Sequence, residues 1–373
     1  MAAAVALGQS FFNARGFGEV TPTNDARTAG MGSPEALSGS NPGIWVDLGQ
    51  TYLSASGIVG ALVGSHSGSS RFLGAVRPVS VGGAIPLPWQ TRLIMGMDTR
   101  FNQDFDVWSE SLSDTTFRRH VVGRGGIYAL RLGLAKSLFG SLCLGVAYNH
   151  VLGGSREKWL FEVAPGGAST TDTIEVDYAG NTLQIGASFQ PRLFSLAACY
   201  EPELSLDAHR SKLVHGTIND SFRTYTITLP GLTRLAAGFD PTPRLNLNLG
   251  LELRPWSDAK VDTIHAGFRN TWRLSAGAEY ELASGYPVRI GYSHQNWYFD
   301  AVPAIDPGFG LVPISENSLH VGTSFPIPKF GSLDLSGSVF LRRAGDLTET
   351  AGQLMLTLAY HEAWTRRTRR WGY

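Results

Sequence analysis

One property narrows the possible folds of this chain more than any other: a period-two alternation that recurs along most of its length. In Leu245 to Leu253, five leucines at odd positions alternate with Asn246, Asn248, Gly250 and Glu252. One face of the segment is therefore apolar and the other polar. Thr182 to Phe189 repeats the pattern, with Leu183, Ile185, Ala187 and Phe189 opposing Thr182, Gln184, Gly186 and Ser188. Trp272 to Leu282 repeats it again. A strand of this kind stands between two solvents, and the rest of the reading asks which two.

The alternation predicts about fourteen strands between Thr51 and Trp364, an even number as single-chain bacterial barrels require. Connections sort by parity. Phe139-Gly140, Gln190 to Leu193, Asp240 to Arg244, Ala283 to Tyr286 and Pro328 to Gly331 are short. Asn102 to Gly125, Gly153 to Asn181, Lys212 to Arg223, Trp256 to Asn270 and Tyr298 to Glu316 are long and fall between them. Strands that run alternately up and down through a membrane produce this alternation, whereas a soluble sandwich has no reason to. Trp256, Trp272 and Trp297 at one set of strand ends, and Trp89 and Trp364 at the other, are read as aromatic girdles at the lipid headgroups.

Composition agrees. Of 373 residues 43% are hydrophobic and only 17% charged, with 44 glycines, and no apolar run is long enough for a membrane helix. If the chain spans a membrane, strands must cross it, and strands in hydrocarbon must close on themselves to pair every backbone group. The expected fold is all-β: a transmembrane, antiparallel, up-and-down β-barrel. The formal net charge is zero, which provides no electrostatic footprint for nucleic acid. Cys143 and Cys199 have no ligand spacing and are read as small buried thiols. Neither catalytic motifs nor paired histidines occur, so no enzyme, metal site or cofactor is expected. Gly64-Ser65-His66-Ser67-Gly68 is read as a turn, and Asp172, Glu175 and Asp177 as part of a solvated loop.

A barrel of about fourteen strands is too wide for its own side chains to fill. The uncommitted segment is N-terminal, and Asn24 to Leu48 is too rich in Gly and Pro for a strand and too aperiodic for a helix. It is read as a hatch inside the lumen. The resulting division is 1–8 as the residual end of a signal peptide, 9–50 as hatch, 51–364 as barrel and 365–373 as a basic tail. Inward charges at Arg92, Arg131, Glu252, Arg273, Glu279, Arg289 and Asp334 either solvate a channel or hold the hatch through Asp25, Arg27, Glu35 and Asp47. Both signs are present, which favours a plugged lumen over a charge-selective ring. Pro78, Gly82 and Gly83 interrupt the second strand and mark a candidate lateral opening.

The stretch Asp25 to Gly32, DARTAGMG, followed by Asn41-Pro42-Gly43, resembles the N-terminal hatch of FadL-type outer-membrane proteins. The run SAGAEYELASGYPVRIGYSHQ and the later Pro313 to Asn317 ahead of LHVGTSF resemble that family's C-terminal hairpins. The sequence departs from the pattern at Gly43, where the family has Ala, and in a shortened link before Asn41. The resemblance implies a 14-stranded monomeric barrel in the outer membrane of a Gram-negative-type bacterium, surrounded by outer-membrane lipid. Its hatch residues would be Asp25, Arg27, Gly30, Met31, Gly32, Asn41 and Pro42. It implies passive uptake of long-chain fatty acids or other hydrophobic small molecules, without TonB-type coupling. The same fold includes PorV-like adaptors of secretion systems, and a PorV-like adaptor or assembly role without transport is the alternative it carries.

Overall fold

The computed structural model describes residues 16–21, 23–47, 50–66, 69–111, 117–138, 141–163, 169–214, 217–301, 312–328, 331–345 and 347–363. An N-terminal segment carries a two-residue strand, β1 (Glu19–Val20), a short helix, α1 (Ala26–Gly30), and two 3-10 turns, Glu35–Leu37 and Pro42–Asp47. Then come β2 (Gln50–His66), β3 (Ser69–Leu87), β4 (Thr91–Asn102), β5 (Phe105–Ser111), β6 (Phe117–Leu138), β7 (Leu142–Val163) and β8 (Ser169–Phe189). The chain continues through β9 (Phe194–Glu201), β10 (Leu204–Val214), β11 (Thr217–Leu229), β12 (Leu232–Thr242) and β13 (Leu245–Arg254). A small hairpin, β14 (Lys260–Val261) and β15 (Ile264–His265), precedes β16 (Thr271–Glu281), β17 (Pro287–Ala301), β18 (Val312–Ile327), β19 (Gly331–Ala344) and β20 (Leu347–Ala363).

Every long pairing is antiparallel, and β20 pairs with β2 from Gln50↔Ala363 to Ser65↔Thr348, closing the sheet into a fourteen-stranded barrel. β4 with β5, β9 with β10, and β11 with β12 each form one interrupted wall strand. The last two are broken at Pro202-Glu203 and Pro230-Gly231, because proline cannot donate to the ladder.

The two solvents are now identifiable. Leu132, Ile185, Leu249, Ile290, Leu319 and Leu358 all point outward and are exposed, while the alternate positions Thr182, Gln184, Asn248, Ser275, Ser318 and Ser336 are buried inside. An apolar outer belt of this extent is unsuited to water and suited to acyl chains, as on outer-membrane barrels.

Two expectations need correction. The long connections after Asn102, Gly153 and Lys212 are largely strand: β5 with β6, β7 with β8, and β10 with β11 continue as tall hairpins. Above the apolar belt the outer face meets water and the apolar residues face inward, Val176 and Tyr178 on β8 being buried and Asp177 exposed, so the alternation changes phase instead of continuing. Among the tryptophans, Trp89 and Trp272 are exposed on the outside as a girdle requires, but Trp256 and Trp297 are buried within the barrel. Trp256 follows Pro255 in a turn that folds inward, and Trp297 shares the inward parity of Arg289, Gly291 and Ser293 on β17, opposite to the exposed Ile290 and Tyr292. Trp364 lies outside the described residues. Cys143 and Cys199 are both buried thiols outside any disulfide.

Candidate functional site

The wall is incomplete at one place. β3 pairs with β2 along its length, yet its ladder to β4 runs only from Leu87↔Thr91 to Ser80↔Asp98. Beyond that point, among the described residues, 69–79 make no ladder pairing with β4, the contact left being Thr99 Oγ1 donating to the Pro78 carbonyl at 3.4 Å. The cause is local: β2 and β3 shift register between Ser56 and Gly57, so that Val79 is an extra residue between Ser80 and Pro78. A bulge bends its strand and ends pairing, and here it follows a proline that cannot donate. Val79 turns inward, 1% exposed, to pack on Ala26 and Ala29 of α1 with Ile58 and Met355.

The N-terminal segment runs along the inner side of this gap. β1 takes the edge of β4 that β3 leaves, pairing Glu19 with Asn102 and Val20 with Phe101. The Thr21 amide donates to the Arg100 carbonyl at 3.0 Å, and Ser80 Oγ donates to the Asn24 carbonyl at 2.6 Å. Glu19 meets Arg342, which also binds Glu316 at 2.6 Å and Glu349 at 2.7 Å, and lies 3.8 Å from Arg77 of β3. Arg342 is therefore a buried cation shared by three carboxylates.

Further along, the segment is seated on the wall by glycine. Asp25 caps α1, accepting from the Thr28 amide at 2.7 Å, while the Ala26 amide donates to Thr357 Oγ1 at 2.7 Å. Burial of Asp25 raises the pKa of its carboxyl, partly offset by the hydrogen bonds from Thr28. Gly30 lies against Gly322, where an added Cβ would stand 3.1 Å from the Gly322 Cα. Met31 and Gly32 press on Gly277 and Gly291, themselves cross-strand partners. A Cβ on Gly277 would stand 2.3 Å from the Met31 carbonyl oxygen, and one on Gly291 2.2 Å from the Gly32 nitrogen. Asn41-Pro42-Gly43 sits on a second such pair, Gly145 and Gly186. Asn41 Nδ2 reaches the carbonyls of Ala36 at 2.8 Å and of Ala187 and Ala198, both at 3.3 Å. Glycine within a strand marks the close approach of another backbone, and these glycines accept the segment.

The inward charges are largely paired. Arg27 meets Glu279 at 2.9 Å, Glu279 meets Arg289 at 2.5 Å, and Arg289 lies 3.5 Å from Asp334. Arg131 binds Asp98 at 2.6 Å and donates to the Gly39 carbonyl at 3.3 Å. Glu252 pairs with Arg234 at 2.7 Å, and Arg273 donates to the Gly32 carbonyl at 3.4 Å. Of the acidic and basic residues expected to tie the segment down, Arg27 forms an ion pair with the wall. Asp25 instead caps its own helix, and Glu35 accepts from Ser40 at 2.7 Å within the segment. The Asp47 side chain lies outside the described residues. Of the three positions picked out as a wall opening, Pro78 adjoins the bulge. Gly82 and Gly83 lie in the paired part of the ladder, opposite Gly96 and Met95.

Two cavities flank the segment. The one toward the short-turn rim, about 860 Å³, is polar and charged, with Arg27, Asp240, Arg244 and Glu279 among its walls. The other, about 480 Å³, opens beneath the tall hairpins and is ringed by Phe17, Phe105, Tyr178, Tyr225 and Phe268. Beside it Phe17, Trp256 and Tyr298 stack, and Tyr298 accepts from the Phe17 amide at 2.7 Å. Among the described residues no group of three or more His, Cys, Asp or Glu is placed to hold a metal ion.

No protein-family model matches the sequence, and no curated protein does. Solved structures do match. A Pseudomonas aeruginosa FadL homologue superposes with a TM-score of 0.60 at 14% identity, over 93% of this chain and 100% of that one. The chain has the FadL fold. The Ralstonia pickettii toluene transporter TbuX matches with a TM-score of 0.60 at 13% identity, over 91% and 98% of the two chains. The P. putida toluene transporter TodX gives 0.57 at 14%, over 87% and 92%. Within this FadL fold, sequence reasoning missed Glu19, Val20 and Val79, which have no local signature. It also missed the glycine seats, which the paired inward glycines of adjacent strands could have revealed.

Proposed function

We propose that this chain is a passive outer-membrane conduit for hydrophobic small molecules, with long-chain fatty acids among the possible cargoes. It would capture them in the aromatic cavity beneath the tall hairpins and release them sideways into the bilayer between β3 and β4. The observation that carries this reading is the ladder that stops at Ser80↔Asp98. An apolar solute leaving there enters lipid directly, without crossing the charged cavity below. The segment from Glu19 to Asn24 is the gate, and the glycine-seated remainder is the hatch body that keeps the lumen closed. The toluene transporters of similar fold lend support by analogy of architecture.

The tall hairpins favour a second reading, an adaptor that presents them to a protein partner. Deleting Val79 removes the extra residue of the bulge, allowing β3 to continue its ladder along β4. Uptake of toluene into proteoliposomes is expected with the native protein and is expected to fall sharply in the deletion variant. Heat-modifiable gel mobility of that variant reports whether the barrel still forms. Undiminished uptake in a folded variant would remove the lateral route. Absence of uptake by the native protein would remove the conduit and leave the adaptor.

A further inference from the structure

The upper cavity contains a feature that capture of a neutral hydrocarbon leaves unexplained. Arg210 of β10 and Arg223 of β11 are direct cross-strand partners, and both line the cavity. Like charges placed directly opposite each other on adjacent strands repel. Among the described residues neither forms an ion pair. The other charged residue on the cavity wall is Glu157, one of whose carboxylate oxygens accepts from Trp159 Nε1 at 3.0 Å. The site therefore has excess positive charge, two guanidinium groups against one carboxylate.

Resting on the reading of this cavity as the capture site, we propose that Arg210 and Arg223 form an anion clamp. The ligand class is a ring-bearing carboxylate: an aromatic body among Phe17, Phe105, Tyr178, Tyr225 and Phe268, with its carboxylate between the two guanidinium groups. Offset and edge-to-face ring contacts hold the body. Charge-assisted hydrogen bonds from two planar donors hold the head and relieve their repulsion. A cavity of about 480 Å³ is of the size that encloses a compact ligand.

The test uses the full chain in phosphatidylcholine nanodiscs, titrated calorimetrically with 1-naphthoate and with its neutral isostere 1-naphthamide. Naphthoate is expected to bind about tenfold or more tightly than the amide, as charged hydrogen bonds allow. The difference should narrow as salt is raised. In the Arg210→Gln/Arg223→Gln variant, naphthoate affinity should drop to that of the amide while amide binding is unchanged. Equal affinities in the native protein, or a preference that survives the double substitution, overturns the clamp and leaves the cavity as a purely hydrophobic site. Failure of both probes to bind overturns the clamp together with the capture site. Unchanged thermal unfolding of the variant verifies that the barrel is intact.

Discussion

The two halves of the N-terminal segment are held by different physics. At Met31-Gly32 and again at Asn41 to Gly43 it is pressed on paired wall glycines, with no room for even a methyl group. From Glu19 to Asn24, beyond the packing of Phe17 and Val20 on the aromatic cluster, it is held by two pairs of strand partners, single hydrogen bonds and the Glu19 carboxylate. Close packing is lost as a whole or not at all, because dispersion falls away steeply once a surface lifts. A stretch held by separable polar bonds can exchange them for water one at a time. The contrast is between an anchor and a movable edge, and the movable edge is the part that lies along the wall gap.

The largest test of that contrast is Arg342. It is 3% exposed and binds three carboxylates from the segment, β18 and β20. Arg342→Leu would leave Glu316 and Glu349 buried without their cation, a loss of about 3–5 kcal/mol. A marked drop in thermal unfolding temperature in detergent is the expected readout. Next comes the anchor. A Cβ on Gly186 would stand 1.9 Å from Asn41 Oδ1, so Gly186→Ala must displace the Asn41 side chain and its bonds to two wall carbonyls. The expected cost is about 1–3 kcal/mol. Proteolysis near Arg27 in membrane-inserted protein should become measurable. Gly352→Ala, with nothing within 4 Å, is the control expected to change neither readout. If Gly186→Ala protein resists protease as the native protein does, the anchor is misassigned.

What the sequence made legible follows the same division of forces. Strands were visible wherever one face met lipid and the other the lumen, because that difference writes the alternation into the residues. In the tall hairpins it changes phase, with apolar Val176 and Tyr178 facing in and charged Asp177 facing out, and Phe117 to Gly125 and Ser169 to Asn181 read as loop. Asp25 to Gly32 and Asn41-Pro42-Gly43 stood out as aperiodic and glycine-rich, which suited them to a close seat. The ladder that Glu19 and Val20 make with β4 is a backbone pairing, and backbone pairing leaves no mark on residue choice. The bulge at Val79 was half visible: Pro78 announced an interruption, but the extra residue exists only relative to β2. Trp297 was misplaced because its position at a strand end was weighed and its parity was not: counted from Ile290, which faces out, it falls on the inward side.

The smallest expected effect separates anchor from edge by pH. Glu35 is buried in the anchor, accepting from Ser38 at 3.1 Å and Ser40 at 2.7 Å, and it faces Arg234 of β12 and Arg273 of β16. Burial, only partly countered by Arg234, raises its pKa above the usual carboxylate value. With a pKa higher in the docked state than in the free chain, docking takes up a proton. Docking is then strongest below the ordinary Glu value and weakens as pH rises through the raised one. Mild acidification from neutral pH should therefore slow proteolysis near Arg27, with Asp25 contributing in the same direction. Glu35→Gln keeps an acceptor for both serines and removes the charge. It should protect the site at neutral pH and flatten the pH dependence to the part due to Asp25. Glu35 lies in the anchor and not in the edge, so the acid effect should be confined to the anchor. A Glu35→Gln variant whose protection tracks pH as steeply as the native protein would place the titrating group elsewhere and remove this distinction.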